Sequence, residues 1–319
     1  MKDKLKINQG LLFYPILIIN WLPLWFVTSQ FFTSFSLDVV LLLWLSGSLF
    51  LSWLSFQFFS QSEFIVLIIP NLLTAGTLFL DLWSGGELLK VSILGYSPVI
   101  GARYYGIGNE YMGLLIGITI VLVTLFFEIR NKVDNKVLFL ISLILVITIA
   151  APDLGANFGG LIAAVFISLL TYYYLNNFNF DFSTIIKSFL AGSGIIIIIV
   201  YMDIATGAES HFARLFVKLQ QTGLSALWIV IERKLAINLR LLGWTIWTKV
   251  LLAFVFILVI LFKHPRGLTA QIVNEYPFFS SGFKALLWGS LVAGSVNDSG
   301  VVVVATLLLL PVFTLVYLV

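Results

Sequence analysis

Residues 101–130, GARYYGIGNEYMGLLIGITIVLVTLFFEIR, decide the fold of this chain. A polar segment with Arg103, Asn109 and Glu110 leads directly into an apolar run over 111–128, which is long enough for a helix that crosses a bilayer. Ionisable groups at such a position are costly and normally mark function. The sequence therefore predicts a membrane-embedded helix with a polar site at its start.

The composition excludes several classes of protein. Of the 319 residues, 60% are hydrophobic and only 10% are charged, so too little polar surface exists to cover a water-soluble globule. The chain has no cysteine, which excludes disulfides and thiolate chemistry, and its two histidines do not suffice for a multi-histidine metal centre. We therefore predict one integral membrane domain over 1–319, with no metal site and no indicated cofactor.

Ten apolar runs approach the length of a membrane span, so the predicted fold is all-α and polytopic. We interpret the basic, apolar first segment as a retained span and not as a cleaved signal peptide. The run 285–296 is too short to cross as one helix, which predicts a broken or re-entrant segment there and leaves the side of the C-terminus open. The ten runs cover 11–29, 37–60, 64–83, 111–128, 137–151, 159–175, 184–203, 249–262, 285–296 and 300–319.

Basic residues predict the orientation of the spans. Lysines near the N-terminus, the loop EIRNKVDNK with Arg130, and the segment KHPRG all fall on one side, which the positive-inside rule assigns to the cytoplasm. The protein is thus predicted in the cell membrane with a cytoplasmic N-terminus. Four polar segments then face outward: GARYYGIGNE (101–110), PDLGAN (152–157), the stretch 204–248 and NDSG (297–300).

The outer stretch 204–248 is predicted to lie along the membrane surface. Its part 224–247 contains Glu232, Arg233, Lys234 and Arg240, and each cation would cost about 2.5 to 3.5 kcal/mol near the bilayer centre. Interfacial, amphipathic helices on the outer face are the less costly arrangement.

Three helix starts share a pattern that indicates an anion site. GNEYMG, GANFGG and VNDSG each precede a helix predicted to run from outside to inside. Capping of the helix by Asn or Asp is by itself a sufficient explanation for these residues. Three starts on one face would also present three positive dipole ends to whatever lies between them. Equally, Arg103 could pair with Glu110 or Asp153 and brace the bundle.

The candidate site residues fall into two groups. Glu110, Asp153 and His211 are candidates for general acid or base chemistry, because a histidine titrates near neutrality and carboxylates at a membrane boundary can approach it. The second group combines cations with residues of the three helix starts around a phosphate, although the cations could instead bind lipid headgroups. This group comprises Arg103, Tyr105, Asn109, Asn157, Arg214, Arg233, Asn238, Asn297 and Asp298.

Short motifs resemble two kinds of protein. ARYYGIGNEYMG, PDLGANFGG, SHFARL and NDSGVVVVATLLL are similar to motifs of an uncharacterised bacterial multi-pass membrane family, some of whose members carry an alkaline-phosphatase-like domain that this sequence does not show. A weaker similarity is to the O-antigen ligase and polymerase class, in which an outer loop bears essential Arg and His. That resemblance implies roles for Arg103, His211 and Arg214.

These patterns favour a transferase that works at the outer face on a polyprenyl-phosphate-linked or phospholipid substrate, by glycosyl or phosphoryl transfer. Two alternatives remain: a transporter or flippase for an anionic lipid or solute, and a non-catalytic membrane subunit. The expected partners are membrane lipids, polyprenyl phosphate among them, and a separate extracytoplasmic enzyme; nothing indicates nucleic acid.

Overall fold

The computed structural model describes residues 2–59, 62–95, 105–178, 225–263 and 270–319, with isolated positions between 183 and 201. All regular secondary structure within these ranges is helical. Most of the predicted span 184–203 and all of the segment 204–224 therefore lie outside the described residues. A short 3-10 helix, Ser29–Phe32, follows the first helix. The α-helices are α1 (Lys2–Val27), α2 (Leu37–Phe59), α3 (Glu63–Trp83), α4 (Glu87–Val91), α5 (Asn109–Arg130), α6 (Asn135–Ala150), α7 (Phe158–Leu175), α8 (Ser225–Trp244), α9 (Ile246–Lys263), α10 (Ala270–Glu275), α11 (Pro277–Val296) and α12 (Gly300–Leu318).

Several of these helices are long and apolar enough to cross a membrane. Among the described residues, α2, α3, α5, α7 and α12 meet that description, and the bent pair α8–α9 makes a sixth if it is counted as one span. These helices indicate a membrane-embedded, multi-pass chain, as the sequence predicts. The described ranges do not reach the predicted count of ten spans.

The centre of the bundle is the pair α5 and α12. About three quarters of the most apolar part of each helix is buried, 78% for α5 and 72% for α12, against 28% for α2. Gly113 and Gly117 bring α5 against the backbone of α12, where a Cβ on Gly117 would overlap the carbonyl of Leu307. Pro311 has no N–H to bond that carbonyl, so α12 offers a free acceptor where α5 approaches most closely.

One end of the bundle is defined by the start of α5 and the segment before α7. The backbone N–H of Ile107 donates to Gly155 O over 2.8 Å. Trp83, at the end of α3, donates from its indole to the Thr148 hydroxyl over 2.9 Å, near the end of α6. We call this the Asn109 end.

The opposite end is defined by the end of α5 and the start of α11. Glu128 accepts a hydrogen bond of 2.8 Å from the backbone N–H of Phe279. Tyr276, just before α11, donates from its hydroxyl to Glu63 at the start of α3, also over 2.8 Å. We call this the Arg130 end. Helices α5, α7 and α12 run from the Asn109 end to the Arg130 end, and α3, α6 and α11 run in the opposite direction.

Helix α11 corrects the prediction of a short apolar run at 285–296. It contains 20 residues, about 30 Å at 1.5 Å per residue, and runs without a break from the Arg130 end to the Asn109 end. Hydropathy missed its first turns because Ser280, Ser281 and Lys284 are polar. Pro277 at the first helical positions and the Glu128 carboxylate begin the helix there.

Helices α8 and α9 meet at a sharp bend. Their axes differ by 81° across a break at Thr245. Helix α9 packs along α12, with the rings of Phe254 and Phe313 5.9 Å apart. Helix α8 therefore lies across the Asn109 end of the bundle. Its residues fall within the stretch 224–247, for which the sequence predicts a surface helix.

Candidate functional site

The segments before α5 and α7 lie side by side at the Asn109 end. Gly106 adopts a φ of 83°, and a Cβ there would overlap the carbonyl of Gly155. A side chain at residue 106 would thus prevent the bond between Ile107 N and Gly155 O. The glycine-rich sequence GIGNE is explained by this close approach of two backbones.

A chain of side-chain hydrogen bonds joins three helix starts. Asn157 donates from Nδ2 to Asn109 Oδ1 over 3.2 Å and to Ile107 O over 3.1 Å. Asn109 in turn donates to the Ser299 hydroxyl over 2.6 Å, directly before α12. Asn157 Oδ1 also accepts from Gly160 N over 2.8 Å and so caps α7. The starts of α5, α7 and α12, which the sequence places on one face, are thereby held together.

Asn297 is buried beneath the start of α7. Only 3% of its surface is exposed, and its Nδ2 donates to Ala293 O over 2.8 Å at the end of α11. A Cβ on Gly159 would overlap Asn297 Oδ1. The glycine in GANFGG thus makes room for the asparagine in VNDSG. Asn297 serves as a packing and capping residue in this arrangement.

Helix α8 fastens onto the turn between α11 and α12. Lys234 Nζ lies 2.8 Å from Asp298 Oδ1 and donates to Val296 O over 2.8 Å. Asn238, one turn further along α8, donates to Asn297 O over 3.1 Å. It also accepts from Val301 N, in the first turn of α12, over 3.3 Å. The predicted ligands Asn238 and Asp298 therefore hold α8 in place.

Arg233 has a different environment from its neighbour Lys234. Its guanidinium lies 3.6 Å from Asp298 Oδ1, and 61% of its side chain is exposed, against 24% for Lys234. Lys234 already makes the shorter contact with that carboxylate. The Arg233 guanidinium can therefore turn to an anion while Asp298 keeps a cationic partner.

The helix ends add positive potential to this site. Gly108 and Ser299 make no side-chain cap for α5 and α12, in contrast to Asn157 at α7. The amides that join the three starts are neutral and do not themselves offset the partial positive charge of the aligned dipoles. Two carboxylates lie at the same end, Glu110 in the first turn of α5 and Asp298 before α12, and Arg233 and Lys234 face the second of them.

The remaining predicted residues lie in three situations. Tyr105 is 56% exposed, and Asp153 is exposed in the turn before α7. Glu110 is half-buried in the first turn of α5. Arg103, His211 and Arg214 lie outside the described residues, so their predicted roles stay predictions.

Sequence reasoning missed two residues that this region uses. Ser299 links α5 to α12, and Lys234 links α8 to the turn after α11. Lys234 and Asn238 are four residues apart and so share a helix face, a spacing that was visible in the sequence. Their partners are about sixty residues away, and no local pattern identifies them.

A second polar group occupies the Arg130 end. Burial raises the pKa of Tyr276 above its usual value, and the hydrogen-bonded Glu63 carboxylate raises it further. Because Glu128 caps α11 with a carboxylate, the dipole of that helix meets a negative charge. At the start of α11 the positive end of the helix dipole is therefore offset by the Glu128 carboxylate.

Comparison with known protein families, characterised proteins and solved structures finds no match to this chain. The resemblances described above therefore stay predictions, and the function has to be argued from the geometry of the site.

Proposed function

We propose that this chain is a membrane transferase that binds the phosphate of a lipid-linked substrate at the Asn109 end, which faces outward. The observation that carries the proposal is the junction of three helix starts, joined by Asn157, Asn109 and Ser299. Neutral amides hold these starts while Arg233 stays largely exposed beside them. A phosphate at this junction would lie near the positive ends of the three helices and near the Arg233 guanidinium.

The proposed orientation follows the positive-inside rule. Arg130, Lys132 and Lys136 lie at the end opposite Asn109, which supports a cytoplasmic position for the Arg130 end. In this arrangement α1, α6, α9 and α11 also cross the membrane, and the predicted span 184–203 lies mostly outside the described residues. Helix α8 then lies in the outer interface, as its 81° angle to α9 supports.

The two flanks of α8 support an interfacial position. At 100° per residue, Leu235, Leu239 and Leu242 share one flank, and Arg233 and Arg240 share the other. All five are exposed. The apolar flank suits acyl chains and the basic flank suits phosphate groups, whether of a substrate or of the bilayer surface.

The proposed roles divide the predicted residues. Arg233, with Arg103 and Arg214, holds the phosphate, and Tyr105 lines the mouth of the site. Glu110, Asp153 or His211 activates the acceptor group. Asn238, Asn297 and Asp298 hold the scaffold through the contacts described above. The bacterial multi-pass family and the O-antigen ligase class are compatible with these roles, and a separate extracytoplasmic enzyme is a proposed partner.

A transporter is the second candidate, because the Arg130 end also has a polar group, formed by Glu63, Glu128 and Tyr276. A transport path would need accessible polar groups between the two ends. Along α5 the hydroxyls of Thr119 and Thr124 donate to carbonyls of their own helix. The enzyme proposal is therefore favoured by the described residues.

The first test is lipid binding, measured by native mass spectrometry with added long-chain polyprenyl phosphate and the matching polyprenol. We expect the protein to retain the phosphate form preferentially, and Arg233→Ala to lose at least about threefold of that preference. Lys132→Ala, which removes an exposed cation at the Arg130 end, is the control. Equal retention of phosphate and alcohol by the unmodified protein would refute an anion site.

Orientation is tested by labelling in intact cells. The chain has no cysteine, so a single Asp153→Cys or Lys132→Cys variant offers one reactive thiol at either end. Both positions are exposed. An impermeant reagent should label the first variant before lysis and the second only after it. The reverse result would place the Asn109 end in the cytoplasm and exclude an outward-facing site.

A further inference from the structure

Lys284 occupies an unusual position in α11. It lies about 10 Å from the first residue of the helix, Pro277, and about 18 Å from the last, Val296. Outside α8, the other charged residues of the described helices lie within about one turn of a helix end. Lys284 is exposed, and no hydrogen bond or ion pair joins its side chain to the part of the chain that the structure describes. An ionisable residue within a membrane-embedded bundle normally marks a function.

The exposed face of α11 changes from charged to apolar along its length. Lys284, Trp288 and Leu291 share this face at 100° per residue. Trp288 is 51% exposed and Leu291 is 64% exposed, and they lie about one and two turns further from the Arg130 end than Lys284 does. Ser281 lies on the same face, but its hydroxyl donates to Pro277 O over 2.8 Å. The face therefore presents its cation first, followed by aromatic and aliphatic surface.

The direction of α11 aims this cation at one end of the bundle. Side chains on an α-helix lean toward its N-terminus, and the N-terminus of α11 lies at the Arg130 end, beside Glu128. A lysine at residue 284 can extend its apolar stem along the helix and place the ammonium near that end, while the deeper residues of the same face stay among acyl chains. The order of groups on α11 thus matches that of a phospholipid whose headgroup lies at the Arg130 end.

A phospholipid fits this face better than a second transmembrane helix does. Close packing of helices in a membrane needs small residues at the interface. Two glycines of α11 face the bundle instead, since a Cβ on Gly282 would overlap Thr124 of α5 and one on Gly289 would overlap Ile167 of α7. On the exposed face, the bulk of Trp288 keeps the backbone of a second helix at a distance. Flexible acyl chains can pack around such a side chain.

We propose that Lys284, Trp288 and Leu291 bind an anionic phospholipid in the leaflet at the Arg130 end. The Lys284 ammonium pairs with the phosphate, and an acyl chain packs along Trp288 and Leu291. Because Lys284 has no carboxylate partner among the described residues, a lipid of net negative charge supplies its counter-charge, which a zwitterionic lipid supplies only in part. This site lies at the opposite end from the proposed phosphate site. It does not rest on the proposed function and holds for either orientation of the chain.

The test compares two lipids that have the same acyl chains and differ in headgroup charge. Native mass spectrometry of the full-length protein counts the molecules retained from dioleoyl phosphatidylglycerol and from dioleoyl phosphatidylcholine. We expect the unmodified protein to retain phosphatidylglycerol preferentially and Lys284→Gln to lose about fivefold of that preference. Lys284→Arg should keep the preference, since a guanidinium also pairs with phosphate. Trp288→Ala should weaken the retention of both lipids alike, because it removes apolar surface and leaves the cation in place.

Lys132→Gln is the matched control, since it removes one exposed lysine from the same end, in the turn between α5 and α6. Lys284→Met guards against a folding defect specific to glutamine, and thermal unfolding without added lipid checks that each variant is folded. No preference in the unmodified protein would overturn the proposal, as would the same preference in Lys284→Gln or an equal loss in Lys132→Gln. Loss of a dimer from the spectrum of Lys284→Gln, with lipid retention unchanged, would overturn it in favour of a second copy of the chain on this face.

Discussion

The two ends of the bundle hold their helix starts with different chemical groups. At the Asn109 end, neutral amides of Asn109 and Asn157 hold helix starts together. At the Arg130 end, the carboxylate of Glu128 holds the start of α11. Both arrangements satisfy backbone or side-chain polar groups that would otherwise be buried without partners.

The difference determines which ligands each end can accept. A carboxylate cancels the positive potential of a helix start, whereas a neutral amide leaves it in place. The amides of the Asn109 end therefore leave the dipoles in place, and Arg233 and Lys234 face the Asp298 carboxylate, while Glu110 adds one carboxylate in the first turn of α5. Two groups that would both be described as helix caps can thus differ in their consequences for function.

Exchanging the amide at one end and the carboxylate at the other should give the largest effects on stability. Asn157→Asp would replace a donor by an oxygen that faces two acceptors, Ile107 O and Asn109 Oδ1. Its side chain is 2% exposed, so we expect a loss of about 3 kcal/mol in the free energy of unfolding, despite a favourable dipole term of about 1 kcal/mol. Glu128→Gln keeps an acceptor for Phe279 N and should cost only about 1 kcal/mol. Unfolding in detergent measures both, and a larger loss for Glu128→Gln would contradict the assignment.

The contact between Gly159 and Asn297, beneath the amides, should have a smaller effect on stability, which a double variant can isolate. Gly159→Ala places a Cβ against Asn297 Oδ1 and should cost about 1 to 3 kcal/mol by overpacking. In the double variant with Asn297→Ala the clash is gone. The loss in the free energy of unfolding of the double variant should therefore be smaller than the sum of the two single losses. Gly243→Ala in α8 is the control, since a Cβ there meets nothing within 4 Å. Strictly additive losses would show that Asn297 does not determine the identity of residue 159.

Much of the helical fold was accessible from sequence because apolar runs are local features. The run 111–128 lies within α5, and the polar starts at 109, 157 and 297 lie at one end, as their pattern suggests. The start of α11 was not accessible, because Ser280 and Ser281 resemble a loop until Glu128 is known to cap the helix. That carboxylate is about 150 residues away in the chain.

The site was accessible only in part, for the same reason. Helix-start residues could be located, but whether Asp298 binds a ligand or a lysine depends on Lys234, which α8 brings from 64 residues away. Asn297 likewise looked like a ligand until Gly159 was found against it. Polar residues at turns are ambiguous in sequence, since capping, packing and binding select the same residue types.

Titration of the Arg130 end should give the smallest effect, limited to alkaline pH. Burial and Glu63 raise the pKa of Tyr276 above 10.0 in the folded protein, so the protonated hydroxyl stabilises the fold. This contribution is complete below pH 10 and is lost as the pH rises through the higher folded value. Tyr276→Phe removes the titrating group along with its hydrogen bond to Glu63, so thermal unfolding temperatures should fall less steeply above pH 10 in the variant than in the unmodified protein. Parallel curves over that range would mean that the tyrosine at this end titrates as if it were exposed.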